Sequence, residues 1–202
     1  MEKVPEIVPA KHGFKLLIAK VILGALAAGV AMLLMRAFNT DEMLVAFFIG
    51  AVPGIAERSP KKLAAGALLG IVGYVVGANV GKQVARMAAG VPLGHWAIVG
   101  AFIGMTAGIA RNPGQSFSSR AAGIASGIVL GLVLGILGDI GGFLTIAPSS
   151  RLGLGLYLYL REVSLVCAGV FINLGAALAS MLAMAVSRKA QRVAAAAESP
   201  AA

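Results

Sequence analysis

The sequence is poor in what usually builds a soluble or catalytic protein. Only 12% of its 202 residues are charged, about half the ~25% of an ordinary soluble domain. One cysteine, Cys167, excludes an intrachain disulfide. Lying inside an apolar run, it reads as a small buried hydrophobe. The two histidines, His12 and His95, stand at the entrances of different apolar runs, and no His, Asp or Glu group has metal-ligand spacing. The Gly-x-Ser-x-Gly, phosphate-loop and His-Glu-x-x-His signatures are missing. These absences argue against an enzyme and give no reason to expect a metal or cofactor. The net charge of +9 does not imply nucleic acid, because no basic stripe interleaved with aromatics is present.

Apolar sequence fills the space instead. Hydrophobic residues make up 59% of the chain, the mean hydropathy is +0.92, and runs near the ~20 residues needed to cross a bilayer recur. The pattern is that of an all-α polytopic membrane protein with about six transmembrane helices. Residues 1–13 form a polar segment, 14–186 one transmembrane domain, and 187–202 an alanine-rich tail expected to be disordered. Phe14–Met35 is too long for a signal-peptide core and reads as a retained first span. Lys15 and Lys20 at its start are placed to snorkel to the interface.

Met43–Ala56 is shorter, and Pro53 predicts a kink or an early end. Leu63–Val84 follows a charged turn. His95–Ala110 opens with Trp96 as an interfacial anchor. Ala121–Leu144 and Ser164–Val186 complete the set. The last is preceded by an interfacial stretch carrying Tyr157, Tyr159, Arg161 and Glu162, read as solvated. With both termini on one side, twelve basic residues fall on that side and five on the other. The bias predicts an inner-membrane protein with both termini inside.

Glycine is the most informative residue present. Gly66, Gly70, Gly73, Gly77 and Gly81 recur at three- and four-residue steps, as do Gly123, Gly127, Gly131, Gly135, Gly138 and Gly142. On helices these fall on one face, where a second backbone approaches closely. The expectation is a glycine zipper within the chain, with the same face available to other copies or other membrane subunits. The two stretches also belong to a repeat. Phe48-Ile49-Gly50 and Gly54-Ile55-Ala56 recur 54 residues later as Phe102-Ile103-Gly104 and Gly108-Ile109-Ala110. Ala64-Ala65-Gly66 and Gly70-Ile71-Val72 recur 57 residues later. A helical hairpin, about 43–84 and again about 95–144, is thus read as duplicated in parallel orientation. Phe171-Ile172-Asn173 echoes the first helix of the unit, so a ring of three pairs, the third shared between the first and last spans, is conceivable.

Asp139 is the polar residue to single out, because an acid inside an apolar run is by default a functional candidate. The 57-residue offset pairs it with Lys82. An ion-pair gate or substrate-facing site, a structural salt bridge, or two helix ends reaching interfacial water are the alternatives. Asn79 and Asn173 are the other polar groups within spans, candidates for interhelical hydrogen bonds.

Two readings of function follow. The first is a non-enzymatic structural or accessory subunit of a membrane assembly, whose partners are the lipid bilayer and other copies or subunits. The second is a transporter or channel subunit for a small solute or ion, using Asp139 and Lys82. In length and span count the chain resembles the substrate-binding component of energy-coupling-factor vitamin transporters. The pair Ala27 and Ala31 matches the small-residue motif by which their first helix docks a partner subunit. The repeat itself resembles glycine-zipper segments appended to bacterial signalling proteins.

Overall fold

A computed structural model describes residues 10–87, 94–109, 117–146 and 154–198. These are helical throughout apart from short turns, with no strand among the described residues. The helices are α1 (Ala10–Phe38), α2 (Met43–Ala56), α3 (Pro60–Met87), α4 (His95–Gly104), α5 (Phe117–Ile146) and α6 (Leu154–Glu198). A single 3-10 turn, Met105–Gly108, extends α4.

Four helices, α1, α3, α5 and α6, are long and apolar enough to cross a membrane. The other two are short. α2 has 14 residues, about 21 Å of helix, against a hydrocarbon core of ~30 Å. α4 has 10 before its 3-10 turn. The six spans read from the apolar runs are thus four long helices and two short ones, and α2 keeps the Met43–Ala56 bounds of the run read as shorter. α2 ends at Ala56, three residues after Pro53. α5 begins at Phe117, inside the stretch read as a loop. α6 runs on to Glu198, through most of the tail 187–202 that was expected to be disordered; that tail is alanine-rich, and alanine is the strongest helix former.

Each helix packs against the next, and α6 returns to α1, closing a ring. α2, α4 and α6 supply most of the interior. Val45, Ile49, Val99, Ile103, Ala168 and Ile172 meet there, all fully buried. The helices between them face outward with their large side chains. On α1, Ile18, Ile22, Leu26, Val30 and Leu33 are exposed, while Gly24, Ala28 and Ala31 on the opposite face are buried. On α3, Leu68, Val72 and Val75 are exposed and Gly66, Gly70, Gly73 and Gly77 buried. This inverts the soluble pattern and suits a helix whose outer face meets lipid.

The buried glycines sit where two backbones nearly touch. A Cβ at Gly104 would lie 2.0 Å from the Gly127 carbonyl oxygen, and one at Gly127 would lie 2.0 Å from that of Gly104. Gly100 and Gly131 approach each other in the same way, at 2.2 and 2.0 Å. Gly123 meets Ala107, and Gly135 meets Trp96, so these four glycines of α5 face α4 and its 3-10 turn. Between α2 and α3, Gly50 meets Gly66 at 2.2 Å and Gly70 meets Ala46 at 2.2 Å. Rising numbers on one helix oppose falling numbers on the other, so both pairs are antiparallel. Gly77 and Gly81 do not join this contact. They turn to His95 on α4, as Gly73 does to Val99. The α3 stripe thus serves two neighbours.

The packing gives a correspondence between α3 and α5 that differs from the 57-residue offset read in the sequence. Gly66 lies opposite Gly50, and Gly127 lies opposite Gly104. In the packing, Gly127 therefore takes the place of Gly66 rather than of Gly70. The offset between α3 and α5 is 61 residues, one helical turn more than the 57 read from sequence. A glycine every four residues matches itself when slipped by a turn, so sequence identity alone does not fix the register.

A short turn closes the α2–α3 pair. At the end of α2 the Ser59 amide donates to Gly54 O at 2.9 Å and the Arg58 amide to Ile55 O at 3.1 Å. This capping geometry places Arg58 at φ 50°, a left-handed position where glycine is usual. Ser59 then starts α3, its carbonyl accepting from the Leu63 amide at 2.9 Å, with Pro60 in the favoured first position.

Substitution by alanine tests the close contacts. Gly127→Ala and Gly70→Ala are each expected to lower thermal stability in mild detergent by about 1–3 kcal/mol, because the obstructing atom is a carbonyl that moves only with its helix. Gly29→Ala, with nothing within 4 Å of its Cβ position, is expected to be neutral or stabilising by up to about 1 kcal/mol. Equal responses at all three positions would contradict the packing.

Candidate functional site: two buried polar clusters

Charge inside the bundle gathers at its two ends. At one end Glu57, the residue that follows α2, turns its carboxylate inward between α1, α3 and α6. Lys20 Nζ of α1 donates to Glu57 Oε1 at 2.5 Å, and Lys62 Nζ of α3 to Oε2 at 2.7 Å. The Glu57 and Lys20 side chains are fully buried, and that of Lys62 is 4% exposed. Ser180 of α6 completes the group. Its hydroxyl accepts from Lys20 Nζ at 3.0 Å and lies 3.3 Å from Glu57 Oε1 and 2.8 Å from Ala176 O. Three segments of the fold are thereby tied through one carboxylate.

The sequence reading placed both lysines elsewhere. Lys20 was expected to snorkel to the interface, and Lys62 was read as part of the charged turn 57–62. Lys15 does remain exposed, but Lys20 is fully enclosed. The reason is rotational. Lys20 lies one turn before Gly24 on the face of α1 that meets α6, whereas Lys15 lies on the face carrying Ile18 and Ile22. Glu57 was not singled out at all. One signal was available: it is the acid in the basic run Glu57-Arg58-Ser59-Pro60-Lys61-Lys62.

At the other end lies Asp139 of α5, 6% exposed. Its Oδ2 accepts from the amides of Gly94 at 3.0 Å and Ala97 at 3.1 Å, and its Oδ1 from Trp96 at 3.1 Å. Those amides open α4 and have no partner within their own helix. A carboxylate suits them in hydrogen bonding and in sign, since a helix N-terminus carries partial positive charge. Asp139 therefore caps a neighbouring helix from across the bundle. It does not reach out to water, as one of the three alternatives required. The side chain of Lys82 lies outside the described residues, so the expected Asp139–Lys82 pair does too.

Gly94 makes this geometry possible at φ 105°, a region open to glycine. Trp96, expected at the interface, is instead 6% exposed and packs in the core beside Val99. His95 stacks edge-on between Tyr74, at 4.9 Å, and Trp96, at 5.2 Å, and its Nε2 is buried without a hydrogen-bond partner. Arg36 of α1 pairs with Glu162 of α6, and both side chains stay partly exposed.

The two asparagines differ. Asn173 is fully buried, and its Nδ2 donates to Gly169 O at 3.0 Å on its own helix and to Ile49 O at 3.4 Å on α2. Asn79 is exposed and bonds back to Val75 O on its own helix at 2.8 Å. Cys167 is half-buried and free. Among the described residues no three His, Cys, Asp or Glu side chains gather as a metal site. Tyr157, Tyr159 and Arg161 have side chains outside the described residues.

Removing one member of the ion cluster leaves unbalanced buried charge, so Glu57→Gln is expected to cost about 3–5 kcal/mol of stability. The triple variant Lys20→Met, Glu57→Met, Lys62→Met is expected to recover most of that loss, because apolar replacement of a whole buried cluster is often neutral. Thermal melting in detergent distinguishes them; a triple variant no better than the single one contradicts a purely structural cluster. At the other end, Asp139→Ala is expected to cost about 1–2 kcal/mol and Asp139→Asn less, as for helix caps generally. No protein family, curated protein or solved structure matches this chain.

Proposed function

We propose that the protein is a non-enzymatic multipass membrane protein, built from a duplicated glycine-zipper hairpin, that serves as a structural or accessory subunit of a membrane assembly. The observation that carries this reading is the commitment of two buried carboxylates to holding helices together. Asp139 is engaged by the amides of α4, and Glu57 by two lysines on different helices. The reciprocal approach of Gly104 to Gly127 and of Gly50 to Gly66 supports the zipper. The same chemistry at both hairpins, with the offset moved by one turn, supports the duplication. Glycine packing of this kind gives a rigid, closely spaced bundle, because van der Waals contact and backbone proximity replace the hydrophobic drive that is missing in lipid. The membrane itself is the first partner, and further copies or other membrane subunits are the second.

A second reading, a transporter or channel subunit for a small solute or ion, draws support from the Lys20–Glu57–Lys62 cluster. Buried ionisable groups in membrane proteins often mark pathways for ions or protons. The Asp139 and Lys82 version of that reading is weakened, because the Asp139 carboxylate already has three amide donors.

Two measurements separate the readings. Mass determination of the protein extracted in mild detergent is expected to give a stable assembly well above the 20.4 kDa of one chain. A monodisperse single chain that conducts ions or accumulates solute in vesicles, with the flux abolished by Glu57→Gln, would overturn the subunit reading. For orientation, a cysteine introduced at Ser59 is expected to resist an impermeant thiol reagent in intact cells, while one at Ser149 is labelled. Reversed labelling would overturn the placement of both termini inside.

A further inference from the structure

The inner helices carry one signature three times: Phe48-Ile49-Gly50 on α2, Phe102-Ile103-Gly104 on α4 and Phe171-Ile172-Asn173 on α6. Ile49, Ile103 and Ile172 are fully buried and belong to one cluster, joined by Val45, Val99 and Ala168 one turn earlier. The residue after each isoleucine marks a crossing with another helix. Gly50 meets Gly66 of α3, Gly104 meets Gly127 of α5, and Asn173 meets Gly24 of α1. One turn earlier the correspondence continues. Ala46 meets Gly70, Gly100 meets Gly131, and Gly169 lies against Gly24 and Ala28. α6 and α1 therefore stand to each other as α2 does to α3 and α4 to α5, although they are the last and first helices.

We infer that the bundle is three copies of one antiparallel helix pair, the third assembled from α6 and α1. This rests on the duplicated-hairpin reading and extends it by a copy that the chain order conceals.

Glycine and alanine match easily by chance, so the argument leans on the charged residues. The register that equates Gly24 with Gly66 also equates Lys20 with Lys62, each one turn earlier. The register that equates Ile172 with Ile49 equates Ser180 with Glu57. These four residues are the buried ion cluster. It is built from corresponding positions of two pairs, the α2–α3 pair and the α6–α1 pair. At the opposite end the same register equates Arg36 of α1 with Asp139 of α5. Each reaches across to the inner helix of its own pair: Asp139 to the amides that open α4, Arg36 to Glu162 of α6.

A packing reason accompanies the pattern. One pair alone leaves its inner isoleucine uncovered; three pairs around a common centre cover all three, as stacked repeats cover one another's faces. Asn173 is the departure from the glycine pattern. Its side chain fills the crossing with Gly24 and sends Nδ2 to α2, tying the third pair to the first.

Openings of the chain test this. One version is divided within 88–93, between pairs, and another within 110–116, inside a pair, each co-expressed as two full-coverage fragments. A third joins residue 202 to residue 1 through a flexible linker and opens at Thr40, making α6–α1 a covalent hairpin. Division between pairs and the rejoined chain are expected to keep at least about half of the intact chain's folded yield, as permutation at pair boundaries allows. Division inside a pair is expected to fall about tenfold, because two helices that pack at glycine must then find each other as separate chains. Equal or reversed yields from the two divisions, including failure of both, overturn the hairpin as the building unit. Loss of the rejoined chain with the division at 88–93 intact overturns the third pair alone.

Discussion

The fold depends on how closely two helix backbones come together at glycine. At Gly104 and Gly127 each would-be Cβ falls 2.0 Å from the partner's carbonyl oxygen, so no other residue fits without separating the helices. In water such helices would be weak, since interior glycine costs ~1 kcal/mol relative to alanine. In a bilayer the backbone has no water to bond to and the helix persists. Glycine then becomes the contact surface, and the large side chains are free to face lipid. The outward Ile22 and Leu26 of α1 and the inward Gly24 and Ala28 are two sides of one constraint.

Polar groups at the bundle ends finish what glycine begins. Close backbones fix distance but permit sliding, because a stripe of glycines every four residues looks alike after one turn. The Lys20–Glu57–Lys62 cluster and the Asp139 cap do not permit it: a slip of one turn would leave buried charge or open amides without partners, at a cost of several kcal/mol. They therefore act as registers. The contacts of Glu57 reach Lys20 and Ser180, far away in sequence, which fastens the first and last helices to the α2–α3 turn.

Some of this was legible in the sequence. Helical type and outward apolar faces follow from run length and composition, and the glycine faces from their period. The register was not legible, because Gly70 and Gly66 match Gly127 equally well on identity. The inward turn of Glu57 was hidden as well. Beside Arg58 and Lys61 it reads as a solvated charge, and only the packing of α1 and α6 against the turn encloses it. Asp139 was recognised as unusual, but its partners are amides in another helix, and no side-chain pattern announces them. Trp96 was misplaced for a related reason, since its position beside a helix start suggested an interface while the cap from Asp139 draws that start into the core.

The most direct test of the account is a measurement of backbone proximity in a bilayer. Solid-state NMR on protein labelled at glycine carbons is expected to give a through-space correlation between Gly104 and Gly127, and a matching one between Gly50 and Gly66. Helical shifts for all four residues without either correlation would contradict it.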